Sequence, residues 1–315
     1  MVDLNISLPE SFLQEEVRDG YLVSAKMKAL WAIQLDLLNE FDRVCKKYDL
    51  RYILEFGTLL GAIRHKGFIP WDDDLDVSML REDYDKLMAV ASKEFKHPYF
   101  LQNQMTESGY DDCVTKLRRS DTCYILKLDI DKRGRQMSFN QGVFIDIFVF
   151  DNAPSDKKTE ELLDYKSRRA FYRMKVINRP PRLHSDLSLL IKEIMSYSYN
   201  RLRYGSIQKE YMRLEKIAKS FHGSDTVGTV MTLVNWFRPL SFYDELIKVP
   251  FENLTCPVPS RYDEVLRTMY GDYMTPVIAP SGHTLVYFDA DRSYQEVLND
   301  KSLMEELRRK LDAKS

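Results

Sequence analysis

Between residues 24 and 48 apolar side chains recur at three- and four-residue steps, through Met27, Leu30, Ile33, Leu37, Phe41, Val44 and Tyr48. That spacing predicts a helix with one buried stripe. The run Arg51-Tyr52-Ile53-Leu54-Glu55-Phe56 reads as a short strand ended by Gly57. A second helix is expected over 58–65, stopped by Gly67 and Pro70, then a strand over 75–80 and a helix over 81–94. From 98 to 150 β-branched and aromatic residues dominate, and strands are predicted at 112–118, 122–126 and 142–150. A turn-rich segment, Asp151-Asn152-Ala153-Pro154-Ser155-Asp156, follows. Beyond it the pattern is helical up to Arg179-Pro180-Pro181, then over 186–204 and 207–222. Ser260-Arg261-Tyr262-Asp263 resembles a capping box with Asp in place of Glu, opening a helix that Gly271 can end. The order predicts an α+β fold. A mixed β-sheet core flanked by helices would occupy 1–155, and a mainly helical region 156–315.

Composition excludes extremes only. Among 315 residues, 46 Lys and Arg stand against 48 Asp and Glu, a net charge of −2, with 44% hydrophobic and 30% charged. A surface wholly committed to nucleic acid is not expected. The cysteines Cys45, Cys113, Cys123 and Cys256 are scattered and read as reduced thiols, not as a disulfide or zinc framework. The amino-terminal stretch lacks a basic head followed by an apolar run, and the most apolar stretch, 142–150, is too short to span a bilayer. A soluble, cytoplasmic protein is expected.

The chemistry concentrates in residues 54–77, where Asp72, Asp73, Asp74 and Asp76 place four carboxylates within five residues. Such crowding calls for an external cation, and an oxygen-only donor set suits Mg²⁺, Mn²⁺ or Ca²⁺. A strand over 75–80 would point Asp74 and Asp76 to one face and bury Leu75 and Val77 on the other. Asp146 interrupts an otherwise apolar strand, where a charge must be paired or metal-bound. Pairing with Lys or Arg explains Asp146 alone; beside Asp74 and Asp76 it completes a metal trio. The triple Asp72–Asp74 is compatible with a solvated acidic turn, but it lacks the Glu at the twelfth position of a calcium loop. Gly57 and Thr58, between a strand and a helix, form a candidate phosphate cradle.

With these residues in place, GTLLGAIRHKGFIPWDDDLDVSM resembles the LicD family, the phosphocholine transferases of bacterial surface glycans, to which fukutin-related ribitol-phosphate transferases are similar. The likeness extends to Lys116-Leu117-Arg118, to Gly142-Val143-Phe144-Ile145-Asp146-Ile147-Phe148, and weakly to YDEVLRTMYGD at 262–272. It implies a nucleotidyltransferase-like core. It also implies transfer of a phospho-alcohol from a CDP-linked donor to a glycan hydroxyl, with release of CMP. Asp74, Asp76 and Asp146 would then be the catalytic carboxylates and the ligands of two Mg²⁺ or Mn²⁺ ions. Gly57, Thr58, Arg64, Trp71, Lys116 and Arg118 would bind the donor.

Several of these residues carry a second reading. Lys116 and Arg118 read equally as solvated strand-edge charges, and Arg64, His65 and Lys66 as a solvated helix end. Trp71, Tyr270 and Tyr273 would suit a quaternary ammonium or simply pack the core. His283 reads as a surface histidine. The basic run Arg168, Arg169, Arg173, Lys175, Arg179, Arg182 leaves open a peripheral contact with the inner membrane surface. Rival functions are a true nucleotidyltransferase, a DxD glycosyltransferase and a non-catalytic nucleotide-binding subunit.

Overall fold

A computed structural model describes residues 1–127, 139–154, 156–181, 186–230, 236–278 and 285–313. A two-stranded ribbon, β1 (Glu16–Arg18) and β2 (Tyr21–Val23), precedes the helix that the periodicity demands, α1 (Ala25–Lys47). The Ser24 hydroxyl accepts the Met27 N–H at 3.2 Å and caps α1, a contact worth about 1 kcal/mol. Leu30, Ile33, Leu37, Phe41 and Val44 are buried, each stabilising by roughly 1.5–3 kcal/mol.

The chain then lays down β3 (Ile53–Leu54), α2 (Phe56–Arg64), β4 (Asp76–Leu80), α3 (Arg81–Glu94), β5 (Tyr99–Gln102), β6 (Thr115–Arg119), β7 (Cys123–Leu126) and β8 (Val143–Asn152). The strand expected at 112–118 starts late because its first residues are spent on a loop. There Tyr110 OH donates to the Val114 carbonyl at 2.7 Å, and the Asp112 carboxylate accepts the Cys113 N–H at 2.7 Å. Three helices follow, α4 (Lys157–Ile177), α5 (Leu187–Tyr204) and α6 (Ile207–Ala218). The remaining elements are β9 (Thr226–Thr229), β10 (Phe237–Pro239), β11 (Leu246–Phe251), β12 (Leu254–Pro259), α7 (Tyr262–Tyr270), β13 (Leu285–Asp289), α8 (Tyr294–Asn299) and α9 (Lys301–Ala313). The second half is thus rich in helices but also carries strands.

The fold is mixed α and β around a central seven-stranded sheet, with β8 at its centre. One edge of β8 pairs with β4 in parallel; the other pairs first with β6 and then with β9, both antiparallel. β3, β5 and β10 extend the sheet outward. Asp151 and Asn152, expected in a turn, are instead the last residues of β8, where they pair with β9, so β9 and β10 complete a sheet begun before them. α1 and α3 lie on one face, where Asp36 pairs with Arg119 and Tyr84 Oη lies 2.6 Å from Thr115 Oγ1.

The capping box expected at Ser260 does not form. Arg261 stands at the N-cap without a side-chain bond, because Asp263 is engaged with Arg267 at 2.8 Å and with Tyr273 OH at 2.7 Å. Gly271 does end α7, with a φ of +64°. A capping box appears instead at Ser293 and Glu296, opening α8. All four cysteines are buried free thiols. Among the described residues no helix is long and apolar enough to cross a membrane.

Candidate active site

Strand register builds the site. Gln102 on β5, Lys116 on β6, Asp146 on β8 and Asp76 on β4 are successive cross-strand partners, so they form one row across the sheet. Cross-strand partners share a face, and this face is the one turned away from α1 and α3. Leu75 and Val77 are fully buried on the other side, as alternation along β4 requires. The Asp146 N–H donates to the Leu75 carbonyl at 2.9 Å, so the pairing runs back to the edge of the acidic loop.

That loop is clamped by α1. Trp31 Nε1 donates to the Asp72 carbonyl and Gln34 Nε2 to the Asp73 carbonyl, both at 2.9 Å. Three carboxylates result, with ligand atoms of Asp72, Asp73 and Asp74 all within 4.8 Å of one another. Tyr124 OH donates to Asp73 Oδ2 at 2.9 Å. Asp76, buried, interacts with Asp72 and Asp74, and Asp146, also buried, interacts with Asp76. Burial, then the charges of Asp74, Asp146 and Asp72, hold the Asp76 carboxyl well above the usual carboxylate range, with Lys116 pulling it back. Burial, with the charge and a hydrogen bond of Asp74 and the charge of Asp73, pushes Asp72 up to about 9.

Like charges in a desolvated space cannot all ionise without compensation. A divalent cation is the compensation that fits, since the donors are hard carboxylate oxygens only. Asp72, Asp73 and Asp74 are the residues whose oxygens converge enough to hold it, with Asp76, and Asp146 paired to it across the sheet, beside them.

Lys116 and Arg118 are not solvated edge charges. They are 5% and 3% exposed on a strand flanked by β5 and β8. The Lys116 ammonium pairs with Asp146 and stands 3.7 Å from the centroid of the Phe144 ring. Asp146 thus has the cationic partner that one reading required, while facing the acidic cluster as well. Arg118 stacks on the same ring at 4.7 Å, donates to the Gly142 carbonyl at 2.6 Å, and is bound by the Gln102 amide oxygen.

Gly57 and Thr58 fall inside the first turn of α2, not ahead of it. A Cβ on Gly57 would stand 2.8 Å from Asp72 Oδ2, so the missing side chain is what lets that carboxylate approach the helix. The Thr58 hydroxyl oxygen accepts the Asp76 N–H at 2.8 Å, and the Glu55 N–H donates to the Asp76 carbonyl at 3.0 Å. Both backbone groups of Asp76 are therefore fixed by the start of α2. Phe56, at that start, has a φ of +48°, a conformation costing on the order of 1–3 kcal/mol for a bulky residue. It is held by an edge-on contact with Phe148 at 4.9 Å and by the Arg238 guanidinium at 5.6 Å.

The other candidates lie around the rim. Arg64 donates to the Tyr273 carbonyl at 2.7 Å, and burial lowers its pKa. His65 lies 3.1 Å from Asp19 and packs edge-on against Trp71, which also meets Tyr21 at 5.9 Å. Tyr273 is buried with its hydroxyl tied to Asp263, which makes it packing. Tyr270 is exposed, and partial burial together with the charges of Asp76, Glu55 and Asp72 raises its pKa. His283 and Arg182 lie outside the described residues. Within the basic run, Arg173 pairs with Glu210 at 3.1 Å and Lys175 with Asp111 at 2.6 Å.

Sequence reading did not single out Glu55, Gln102, Tyr124 or Arg238. Glu55 had a signal, a lone acid inside the apolar run Tyr52-Ile53-Leu54-Glu55-Phe56. It is fully buried, accepting from Arg238 at 2.6 Å and from the Ser78 hydroxyl at 3.0 Å. Arg238 had none, because only the pairing of β9 with β8 and β10 brings it here.

Residues 49–184, which include every carboxylate of the cluster, match the family described as LicD/FKTN/FKRP, nucleotidyltransferase domain. Over 245 residues the chain is 30% identical to the lipopolysaccharide cholinephosphotransferase LicD of Haemophilus influenzae, covering 76% of this chain and 88% of that protein. A 104-residue stretch is 44% identical to an uncharacterized protein of Rickettsia prowazekii, covering 32% of this chain and 36% of that one.

Proposed function

Since the chain belongs to the LicD family and is a transferase of phosphorus-containing groups, we propose that it moves phosphocholine, or a similar phospho-alcohol, from a CDP-linked donor to a hydroxyl of a cell-surface glycan such as lipopolysaccharide. The observation that carries this reading is the direct cross-strand pairing of Asp76 with Asp146 beside the convergent carboxylates of Asp72, Asp73 and Asp74. Asp74, Asp76 and Asp146, with Asp72 at their side, would hold one or two Mg²⁺ or Mn²⁺ ions. Bound there, the ions neutralise the donor's phosphate oxygens and make the acceptor hydroxyl more acidic.

The chain's own residues do the rest. Asp146 takes the proton of the acceptor hydroxyl as the new O–P bond forms, and the P–O bond to CMP breaks, its electron pair leaving with CMP. Lys116, paired with Asp146, sets the orientation of that carboxylate and offers a cation to the leaving phosphate. Arg118 and Gln102 hold the neighbouring strand in place. Tyr270 and Trp71 offer aromatic faces to the quaternary ammonium. The reading places the reaction in the cytoplasm, the compartment of nucleotide-linked donors.

The test is product analysis with CDP-choline, a deacylated lipopolysaccharide acceptor and Mg²⁺. CMP and a phosphocholine-modified glycan are the expected products, with both lost in EDTA. Pyrophosphate released from a nucleoside triphosphate, with no CMP from any CDP-alcohol, would sink the proposal in favour of nucleotidyl transfer.

Gly57→Ala probes the support around the carboxylates. The added methyl group meets Asp72 Oδ2 at 2.8 Å, and displacing such a supporting group typically costs about 10–100-fold in metal affinity or activity. Turnover titrated with Mg²⁺ should need that much more metal, while circular dichroism stays that of the parent. An unchanged Mg²⁺ titration would remove Asp72 from the site.

A further inference from the structure

Helix α5 (Leu187–Tyr204) has no buried residue, although it is eighteen residues long and rich in large apolar side chains. Leu187, Ile191, Ile194, Met195 and Leu202 are all exposed, Leu202 by 87% and Leu187 by 68%. Their spacing, with Tyr199, puts them on one stripe of the helix. The half-buried positions Leu190, Glu193, Tyr197, Asn200 and Tyr204 form a separate stripe, which rests toward α4. Helical geometry sets Arg201 along one border of the apolar stripe and Lys192 and Arg203 along the other. Arg201 is braced by the Tyr197 hydroxyl at 2.7 Å, and Arg203 lies over Tyr199 at 5.9 Å.

Charge is concentrated in the same unit. The helices α4, α5 and α6 carry thirteen lysines and arginines against six acids, in a chain whose net charge is −2. A groove of about 680 Å³ between α4 and α6 is lined by Lys166, Arg169, Arg173, Arg213 and Lys216, and by the buried Glu210 that pairs with Arg173 and Arg213. It adjoins the end of α5, since Arg173 sits 5.1 Å from the Tyr204 ring.

We propose that α5 is an interfacial helix that docks this protein on an anionic lipid surface. Its exposed apolar stripe enters the boundary between headgroups and acyl chains, and Lys192, Arg201, Arg203 and the basic groove meet the headgroup phosphates. The combination of an apolar stripe, bordering cations and rim tyrosines is the pattern of a helix lying in the interface plane. A protein-binding groove would not need cations on both borders. The contact is independent of the reaction proposed above.

Flotation of the full chain with vesicles decides it. Vesicles of roughly three parts phosphatidylcholine to one of phosphatidylglycerol should bind the protein well, and pure phosphatidylcholine at least about tenfold less. Ile191→Gln/Met195→Gln/Leu202→Gln should weaken binding about tenfold or more. Its melting temperature should match the parent's, because these side chains are exposed and none lies in the core. Lys192→Gln/Arg201→Gln/Arg203→Gln should remove the preference for phosphatidylglycerol. No binding to either vesicle, or binding indifferent to the apolar triple variant, overturns the proposal. So does a dimer in size-exclusion chromatography that the same variant abolishes, since a second copy would then be what covers the stripe.

Discussion

Asp76→Asn should abolish transfer, lowering kcat/KM about 10³-fold or more, and yet raise the melting temperature of the metal-free protein. Both effects follow from one placement. Asp76 is buried among Asp72, Asp74 and Asp146, and its carboxyl is held well above the usual range. An amide keeps the shape and removes the desolvated charge, a trade of stability against activity found at many active sites. The same imbalance sets a pH dependence. A carboxyl raised on folding binds its proton more tightly in the folded chain, so its contribution to stability is complete below about pH 4 and is lost as pH rises. With Asp72 pushed up to about 9, the metal-free protein should lose melting temperature steadily between about pH 4 and pH 9. Added Mg²⁺ should restore it at the alkaline end. Asp146→Asn should lose as much activity but also lose stability, because it leaves the buried Lys116 without its carboxylate. Melting curves in EDTA and in Mg²⁺, read beside turnover, separate the two variants. Near-parental turnover in Asp76→Asn would remove the metal assignment.

What could be read in advance was whatever depends on neighbours in sequence. The step of three and four from Met27 to Tyr48 placed α1, though not its cap at Ser24. The alternation around Asp74 and Asp76 placed β4, and Arg81 to Glu94 emerged as α3 with the expected ends. The acidic loop and Asp146 stood out because charge next to a buried strand is costly. The capping box at Ser260 misled because a pattern of side chains cannot show that Asp263 has closer partners in Arg267 and Tyr273. The short strands β9 and β10 were invisible, since Val227 and Gly228 gain their meaning from the register with β8. Lys116 could be read equally as an edge charge because nothing in Thr115-Lys116-Leu117-Arg118 tells that β5 and β8 flank it on both sides. Long-range pairing, not local pattern, decides each of these.

The largest structural consequence of that pairing is the Glu55–Arg238 bond, and Arg238→Met should destabilise the protein by about 3–5 kcal/mol. Glu55 is fully buried and Arg238 is 3% exposed, and Arg238 Nη1 donates to Glu55 at 2.6 Å and to Tyr243 OH at 2.9 Å. Removing the guanidinium leaves a buried carboxylate whose remaining support is the Ser78 hydroxyl and the Phe56 N–H. Isolated buried charge is what makes the single change severe, so the double variant Glu55→Gln/Arg238→Met should recover most of the loss. Glutamine can still accept from Ser78, and methionine fills the space between Phe56 and Phe150, over which the guanidinium now stacks at 5.6 and 5.7 Å. Urea denaturation of the two single variants and the double variant measures the coupling directly. The site should respond as well, because the Glu55 backbone holds the Asp76 carbonyl: turnover of Arg238→Met should fall even at temperatures where the protein stays folded. By the same argument a fragment ending at residue 155 should not fold, since it keeps Glu55 and lacks both Arg238 and the strand that carries it. A single variant within about 1 kcal/mol of the parent, or a double variant no better than the single, would mean that the buried Glu55 does not depend on Arg238.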